Sequence, residues 1–336
     1  MDPDRFFEIE ERMSSRDEPS FAFSKANFDW DKYARTRLVY PESLYREILA
    51  HHEAHGGGFD TAHDIGAGYG LATRDFLSKH FKHVWTSDPV AHNLQAAKAQ
   101  LKDRVDAGRV TVVEAAAEDE WLPSESVDLV TAFECLHWSD PEKSIPAIGA
   151  QLKPGGTFAA VYYMSPLLLD NPVADAAWSK IMHKSGLIWL DQHPKGAKRA
   201  QDGCNSSVPL PTYIFEPGAR RIRINAGLVK PTSELRDARV PFAFGIKDFD
   251  QILSWSFVGK DDICEQREDL ENWAKRDEVD AAWFRELVET FQLVPLEMVE
   301  DEFRESEVAL EKYSGGKTRM CWVADVVLAT KKMQSA

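Results

Sequence analysis

The sequence predicts an α/β protein, with a largely parallel open sheet flanked by helices and a largely helical cap over its ligand side. Three observations predict it. Strand and helix signals alternate from about residue 59 to about 162, which is the pattern of consecutive βαβ units. The first strand runs into a glycine-rich turn, His63-Asp64-Ile65-Gly66-Ala67-Gly68-Tyr69-Gly70, and straight on into a helix. The alternation then stops near residue 165, and helical signals and aromatic residues dominate up to about 290.

Taken in order, residues 1 to about 28 are polar and charged and read as a loosely held arm. The stretch 30–41 is dense in aromatics and cations, and Pro41 opens a helix through Leu44, Ile48 and Leu49. Tyr33 and Arg37, four apart, share a face on a helical turn and are candidates for a lid, or for a cap on the core edge. His51, His52 and His55 lead into Gly56-Gly57-Gly58 without an HExxH pattern, so they read as a solvated helix end rather than a metal site. Strand 59–65 ends on the glycine turn, and helix 71–79 follows.

A second strand, 83–87, ends in Asp88, and a helix covers 89–101. A third strand, 110–114, leads to the loop 115–121, where Trp121 either covers a ligand ring or joins the core. Strand 127–133 is almost continuously apolar, as a buried parallel strand should be. It ends at Glu134-Cys135-Leu136-His137-Trp138-Ser139-Asp140, where the carboxyl edge of an open sheet binds ligands. Helix 141–152 and a tight Lys153-Pro154-Gly155-Gly156 turn lead into strand 157–162.

The cap carries helical signals at 173–184, 246–255, 263–273 and 279–291, and two apolar, basic stretches at 213–215 and 220–224. Strand signals return at 293–299 and 320–329, the last as an antiparallel edge hairpin. The expected organisation is an arm and lid helix over 1–55, a ligand-binding α/β core over 56–164, the cap over 165–290, and strands completing the sheet over 291–332.

Composition narrows the function. A chain of 336 residues suggests one large domain or two smaller ones, and 43% hydrophobic content supports a sizeable core. A formal charge of −15 argues against nucleic-acid and anionic-membrane partners, whose phosphates need a basic face. Cys135, Cys204, Cys264 and Cys321 lie far apart with no CxxC, which reads as free thiols. The acidic start, Met1-Asp2-Pro3-Asp4, has no signal-peptide character, and no apolar run approaches membrane-spanning length. A soluble cytoplasmic protein, monomer or homodimer, is the expectation.

The chemistry rests on the turn. Gly66, Gly68 and Gly70 leave the main chain bare for a ligand facing a helix N-terminus. Asp64 stands two residues before the first glycine, where dinucleotide-binding turns have an apolar residue, and the spacing is GxGxG rather than GxGxxG. Asp88, about twenty residues on, is placed to accept hydrogen bonds from a ribose diol. These residues resemble motifs I and II of the class I S-adenosyl-L-methionine (SAM) methyltransferases. Further matching stretches are YARTRLVYPESLY (33–45), DIGAGYG (64–70), SDP (87–89), ECLHWSD (134–140), KPGG (153–156) and SWS (254–256). Together they resemble the family of trans-aconitate methyltransferase and its fungal relatives.

The resemblance implies a Rossmann-like, seven-stranded class I sheet, SAM as methyl donor, no metal, and a small-molecule acceptor, a carboxylate or hydroxyl most often. It places cofactor contacts at Tyr33, Arg37, Asp64, Gly66, Ala67, Gly68, Asp88, Pro89, Asn93, Ala116, Ala117, Glu118, Phe133 and Glu134. Ala116 departs from the polar residue usual in the family, so an adenine contact passes to Glu118 or the backbone. His137 is the candidate base, with a role in fixing the loop or contacting SAM as its alternative. Trp138, Trp178, Trp189 and Trp255 are candidate substrate contacts. A tricarboxylate acceptor would call on cations such as Lys195, Lys198, Arg199 or the 220–223 arginines, and an aromatic acceptor on the Trp/Phe-rich wall. Two rival functions stand beside methyl transfer: a decarboxylation or cyclisation promoted by the sulfonium, and a non-catalytic SAM-binding subunit.

Overall fold

A computed structural model describes residues 28–192, 208–228, 257–275, 278–291 and 296–333. Its centre is an eight-stranded sheet. Five strands are parallel: β1 (Thr61–Ile65), β2 (His83–Asp88), β3 (Val110–Glu114), β4 (Val127–Phe133) and β5 (Leu152–Tyr163). Three more complete it: β6 (Arg220–Ile224), β7 (Ile263–Arg267) and β8 (Ala324–Thr330). The spatial order is β3-β2-β1-β4-β5-β8-β6-β7, with β8 antiparallel to both of its neighbours.

The principal helices are α1 (Trp30–Thr36), α2 (Glu42–Ala54), α3 (Ala91–Gln100), α4 (Pro141–Gln151), α5 (Pro172–Gln192), α6 (Ala281–Phe291) and α7 (Glu300–Ser314). All seven residues of β4 are buried, which matches its unbroken apolar run. Its position between β1 and β5 requires that burial, because a central strand is covered on both faces. Helix α4 begins where its sequence says it should: Asp140 caps the Glu142 N–H and Pro141 fills the first turn. One face of the sheet packs Leu44, Tyr45 and Ile48 of α2 with Phe76 and Leu77; the other packs Ile145 and Ile148 of α4 against Val127, Val130 and Phe158.

The structure departs from the sequence-based expectations in five places. The sheet has one strand more than seven, and two of its strands, β6 and β7, come from the stretch expected to form the cap. The helix expected over 263–273 is strand β7 followed by one short turn, Leu270–Trp273. Pairing in register with β6 decides this, from Arg220 opposite Ile263 to Ile224 opposite Arg267. Instead of a strand over 293–299, the described part is a 3-10 turn, Leu296–Val299, leading into α7. Strand β8 is interior rather than an edge, which is why all of its residues are buried. Finally, Lys153-Pro154-Gly155-Gly156 lies inside the bounds of β5 and not before it: the pairing with β4 jumps across it, from Val127 opposite Leu152 to Leu129 opposite Thr157, and Gly155 at φ +77° carries the turn.

Of the three histidines, His55 is exposed at the end of α2, as a solvated helix end requires, but the other two are not. His51 and His52 are buried, held by Thr330 Oγ1 (3.1 Å), and by Thr157 Oγ1 (2.9 Å) and the Gly58 carbonyl (2.7 Å), respectively. The side chain of His55 turns back to the His51 carbonyl. The helix signal at 246–255 and the 1–27 arm lie outside the described residues.

Candidate functional site

A cavity of about 360 Å³ opens at the carboxyl ends of β1, β2, β4 and β5, under α1 and the inner faces of α5 and α6. Its floor is the glycine turn. Gly66, Gly68 and Gly70 have φ of +59°, +53° and +83°, a region that side chains other than glycine's rarely occupy. At Gly66 a Cβ would sit 2.4 Å from the Cys135 Cβ, so the position is closed to side chains on both counts.

Two carboxylates hold this turn in shape. Asp64 is buried, and accepts hydrogen bonds from the Thr73 N–H (3.1 Å), the Thr73 hydroxyl (2.7 Å) and the Thr131 hydroxyl (3.0 Å). It thereby ties the end of β1 to the first turn of the next helix, a π-helical turn over Thr73–Leu77. Burial pushes its carboxyl up to about 6, against the pull of those donors. Asp88 accepts from the Gly68 N–H (2.9 Å), the Val90 N–H (2.9 Å) and the Asn93 amide (3.1 Å), and burial raises its pKa as well. The Asn93 Oδ1 and the Trp30 indole N–H are buried without a hydrogen-bond partner among the described residues, and both side chains line the cavity. A buried polar atom left without a partner is costly, and these two face a space in which a ligand or water can satisfy them.

The walls follow. Ala116, Ala117 and Glu118 line the cavity from the loop after β3. Glu118 accepts from the Asp140 N–H (2.6 Å), while Asp119 folds back onto the Ala116 N–H (2.8 Å). Trp121 stands edge-on to His63 and Trp85, away from the cavity. At the end of β4, Phe133, Glu134, His137 and Trp138 reach the cavity. Glu134 has a left-handed backbone, φ +56°, and accepts a short hydrogen bond from the Tyr163 N–H. Burial pushes its carboxyl up to about 8, and the nearby Arg37 only partly opposes this. The His137 ring packs against those of Trp138 and Tyr162.

Helix α1 covers the cavity with Tyr33 and Arg37. The Arg37 guanidinium is fastened to the end of α6: Nε donates to Thr290 Oγ1 (3.0 Å), Nη2 to the Thr290 carbonyl (2.9 Å), and the group lies 4.1 Å over the Phe291 ring. Ion pairs Lys32–Glu289 and Arg35–Glu286 (3.5 Å) join the same two helices.

Every cofactor position expected from sequence, with His137 and Trp138, therefore meets around one cavity. Trp178 does not. It is 1% exposed, donates its indole N–H to the Pro166 carbonyl (2.8 Å) and packs on Phe284, which makes it a core residue. The Trp189 side chain and Trp255 lie outside the described residues, as do Lys195, Lys198 and Arg199. The 220–223 arginines do not converge on the cavity; they face carboxylates of their own, Arg220 with Glu47 (2.7 Å) and Glu265 (2.7 Å), Arg221 with Asp262 (2.6 Å), Arg223 with Asp325 (3.4 Å). Sequence reasoning missed Tyr40, Tyr69, Tyr162, Tyr163, Met164, Met182, Gly186 and Phe291. The carboxyl-edge rule that found Glu134 would have found Tyr162 and Tyr163 at the tip of β5; the residues from α5 and α6 carry no local signal.

The lining fits a nucleoside carrying a sulfonium. It offers a bare glycine cradle, the Asp88 carboxylate at the end of β2 beside the unpartnered Asn93 amide oxygen, and, among the described residues, four acidic side chains against one arginine, Arg37. Among the described residues no group of three or more His, Cys, Asp or Glu is placed to hold a metal.

Comparison with known proteins agrees with this geometry. A family model described as a methyltransferase domain matches residues 63–160. The chain is 31% identical over 315 residues to methyltransferase tpcM of Aspergillus fumigatus, covering 92% of this chain and 93% of that one. It is 35% identical over 203 residues to methyltransferase gedG of Aspergillus terreus, covering 58% and 62%. Among solved structures, a candidate type II methyltransferase from Anaeromyxobacter dehalogenans shares the fold, with a TM-score of 0.55 at 20% identity over 89% of this chain and 99% of that one.

Proposed function

The chain belongs to the family of SAM-dependent class I methyltransferases, and from that premise we propose that it methylates an oxygen, a hydroxyl before a carboxylate, on a small hydrophobic and partly aromatic metabolite. One observation carries the choice of acceptor. The cavity wall is built from Trp30, Tyr33, Tyr40, Phe133, Trp138, Tyr162, Tyr163 and Phe291, while the one arginine or lysine that lines it among the described residues, Arg37, is bound to Thr290. A polyanionic acceptor needs converging cations, and the arginines of β6 face internal carboxylates instead. Aromatic walls suit a flat apolar ligand.

When bound, SAM supplies a methyl group made electrophilic by the positive sulfur beside it. The residues of the chain do the rest. The glycine turn and Asp88 hold the nucleoside, and α1 closes over it through the Arg37–Thr290 contact. The aromatic walls align the acceptor oxygen and keep water out, and alignment is the main need of a reaction with a strong electrophile. A neutral hydroxyl must also lose a proton, and the titratable side chains after β4, Glu134 and His137, stand on the cavity wall to receive it.

In the same reading the partner is a small molecule, neither nucleic acid nor a membrane surface, and the protein acts in the cytoplasm as a monomer or homodimer. The charge of −15 supports this. So does the finding that no helix among the described residues is long and apolar enough to cross a membrane.

The test is mass spectrometry of products formed with isotopically methyl-labelled SAM from two acceptor panels, phenols such as 2-naphthol and tricarboxylates such as trans-aconitate. Labelled methyl ethers from the phenols are expected. Turnover of the tricarboxylates alone would overturn the acceptor class, and products without label would point to a reaction in which no methyl group moves.

A further inference from the structure

The proton of the acceptor hydroxyl needs a destination. We propose that Glu134 is the catalytic base of this site, taking that proton while the acceptor oxygen forms its bond to the methyl group. The methyl–sulfur bond breaks, its electron pair stays on sulfur, and the proton leaves the Glu134 carboxyl for solvent after turnover. The inference rests on the methyl-transfer reading above.

Glu134 is the first residue past β4, on the cavity wall between the glycine turn and the tip of β5. Its φ of +56° is one of three positive values among the described non-glycine residues, and the other two, Glu125 and Asn225, do not line the cavity. Such a backbone is retained where the side chain's direction matters. One carboxylate oxygen is pinned by the Tyr163 N–H, and the carboxylate makes no second hydrogen bond among the described residues. One oxygen is therefore fixed and the other is available to a ligand.

The other acids of the cavity are differently placed. Asp64 already accepts three hydrogen bonds from Thr73 and Thr131, and Asp88 three from Gly68, Val90 and Asn93, with its remaining capacity given to the sugar in the reading above. Glu118 also accepts a single N–H, from Asp140, but it stands in the loop after β3 and not between the tips of β4 and β5. The charged and titratable groups facing Glu134 are Arg37 and Tyr33 from α1, Tyr40 from the loop after it, Tyr163 from β5, and the neighbouring Cys135. Burial raises the hydroxyls and the thiol, so none of them competes as a base near neutrality. An ordinary carboxylate is too weak a base for a phenol. With its carboxyl pushed up to about 8 by burial, Glu134 comes close enough to share the proton, and roughly a tenth of it is ionised at pH 7.

The experiment compares the wild-type chain with Glu134→Gln and His137→Ala, using a phenol from the labelled panel. For the wild type, kcat/KM should rise with pH and level off above about 8. In Glu134→Gln the rate should fall about 100-fold and the rising limb should vanish, with the affinity for S-adenosylhomocysteine kept within about threefold. In His137→Ala the limb should remain. A readout independent of turnover is infrared: a protonated carboxyl band in the free protein, titrating near pH 8 and missing in Glu134→Gln.

A limb that survives in Glu134→Gln, or that disappears only in His137→Ala, overturns the base. So does a Glu134→Gln chain that loses nucleoside affinity more than about tenfold at an unchanged limb, because Glu134 would then be holding the cofactor. A wild type that labels no acceptor defeats the methyl-transfer reading. A Glu134→Gln chain that labels at the wild-type rate defeats only the base.

Discussion

On one side of β5 the strands are parallel, and buried polar groups such as His63, Asp64 and Thr131 are hydrogen-bonded to uncharged partners or to each other; the buried Asp128 meets a cation, Lys153, that is itself partly exposed. On the other side, β8, β6 and β7 are gathered from distant parts of the chain, and opposite charges face each other between them. Arg223 and Asp325 lie 3.4 Å apart and are 3% and 1% exposed. The first half shapes its ligand site with backbone: glycine angles, strand ends and helix starts. Helices α5 and α6 supply further lining to the same cavity, the side chains of Met182 and Phe291 and the bare backbone of Gly186, and these positions follow from long-range packing. In the proposed function, nucleoside recognition is thus tied to local geometry and the acceptor wall to tertiary assembly.

Four measurements would break or sharpen that contrast. Replacing Trp178 with Ala, in the core beneath α5, should cost about 3–5 kcal/mol in calorimetric stability. Nucleoside affinity should survive wherever the variant stays folded, and a matching loss of affinity would show that the two halves act as one.

Acid comes next. Burial holds His63 and His51 down at about 4, one in the parallel half and one between α2 and β8. Their folded values are depressed, so each contributes on the order of 3 kcal/mol that is present above pH 6.5 and lost as pH falls towards 4. Asp64, raised to about 6, runs the opposite way: its contribution is present below pH 3.8 and lost as pH rises through about 6. Melting curves across this range should show net acid lability, and His63→Gln should flatten it.

Gly66→Val should then add about 1–3 kcal/mol of backbone strain and weaken S-adenosylhomocysteine binding about 10- to 100-fold by calorimetry. Unchanged affinity would remove the turn from the site. The smallest effect is expected for Lys180→Ala, which breaks the exposed 2.9 Å pair with Glu305 between α5 and α7. Its change in stability should stay within about 0.5 kcal/mol.

The same contrast explains what was readable. The bounds of β4 and the start of α4 follow from neighbouring residues, an apolar run in one case and an Asp-Pro cap in the other. The segment Ile263-Cys264-Glu265-Gln266-Arg267 has the composition of a helix, and only its pairing with β6 makes it a strand. Helix α7 did carry signals that the sequence reading passed over: Glu300, Asp301 and Glu302 in its first turn and Gly315 at its end. At the site, the glycines, Asp64, Asp88 and the residues after β4 were legible because strand ends fix them. His51 and His52 were misread because the hydroxyls that satisfy them belong to Thr330 and Thr157, far along the chain. Trp178 was misplaced for a related reason, since composition says that aromatics abound but not which of them face a cavity.

The stacked pair of Trp30 and Tyr69, 5.5 Å apart and 9° from parallel, spans the gap between α1 and the glycine turn. Its indole sits 3.6 Å from where a side chain on Gly68 would begin. The protein therefore carries a built-in optical gauge. Occupancy beside the turn should register in ultraviolet emission, and a Trp30→Phe chain, read as a difference, would isolate that signal from the remaining indoles without any dye.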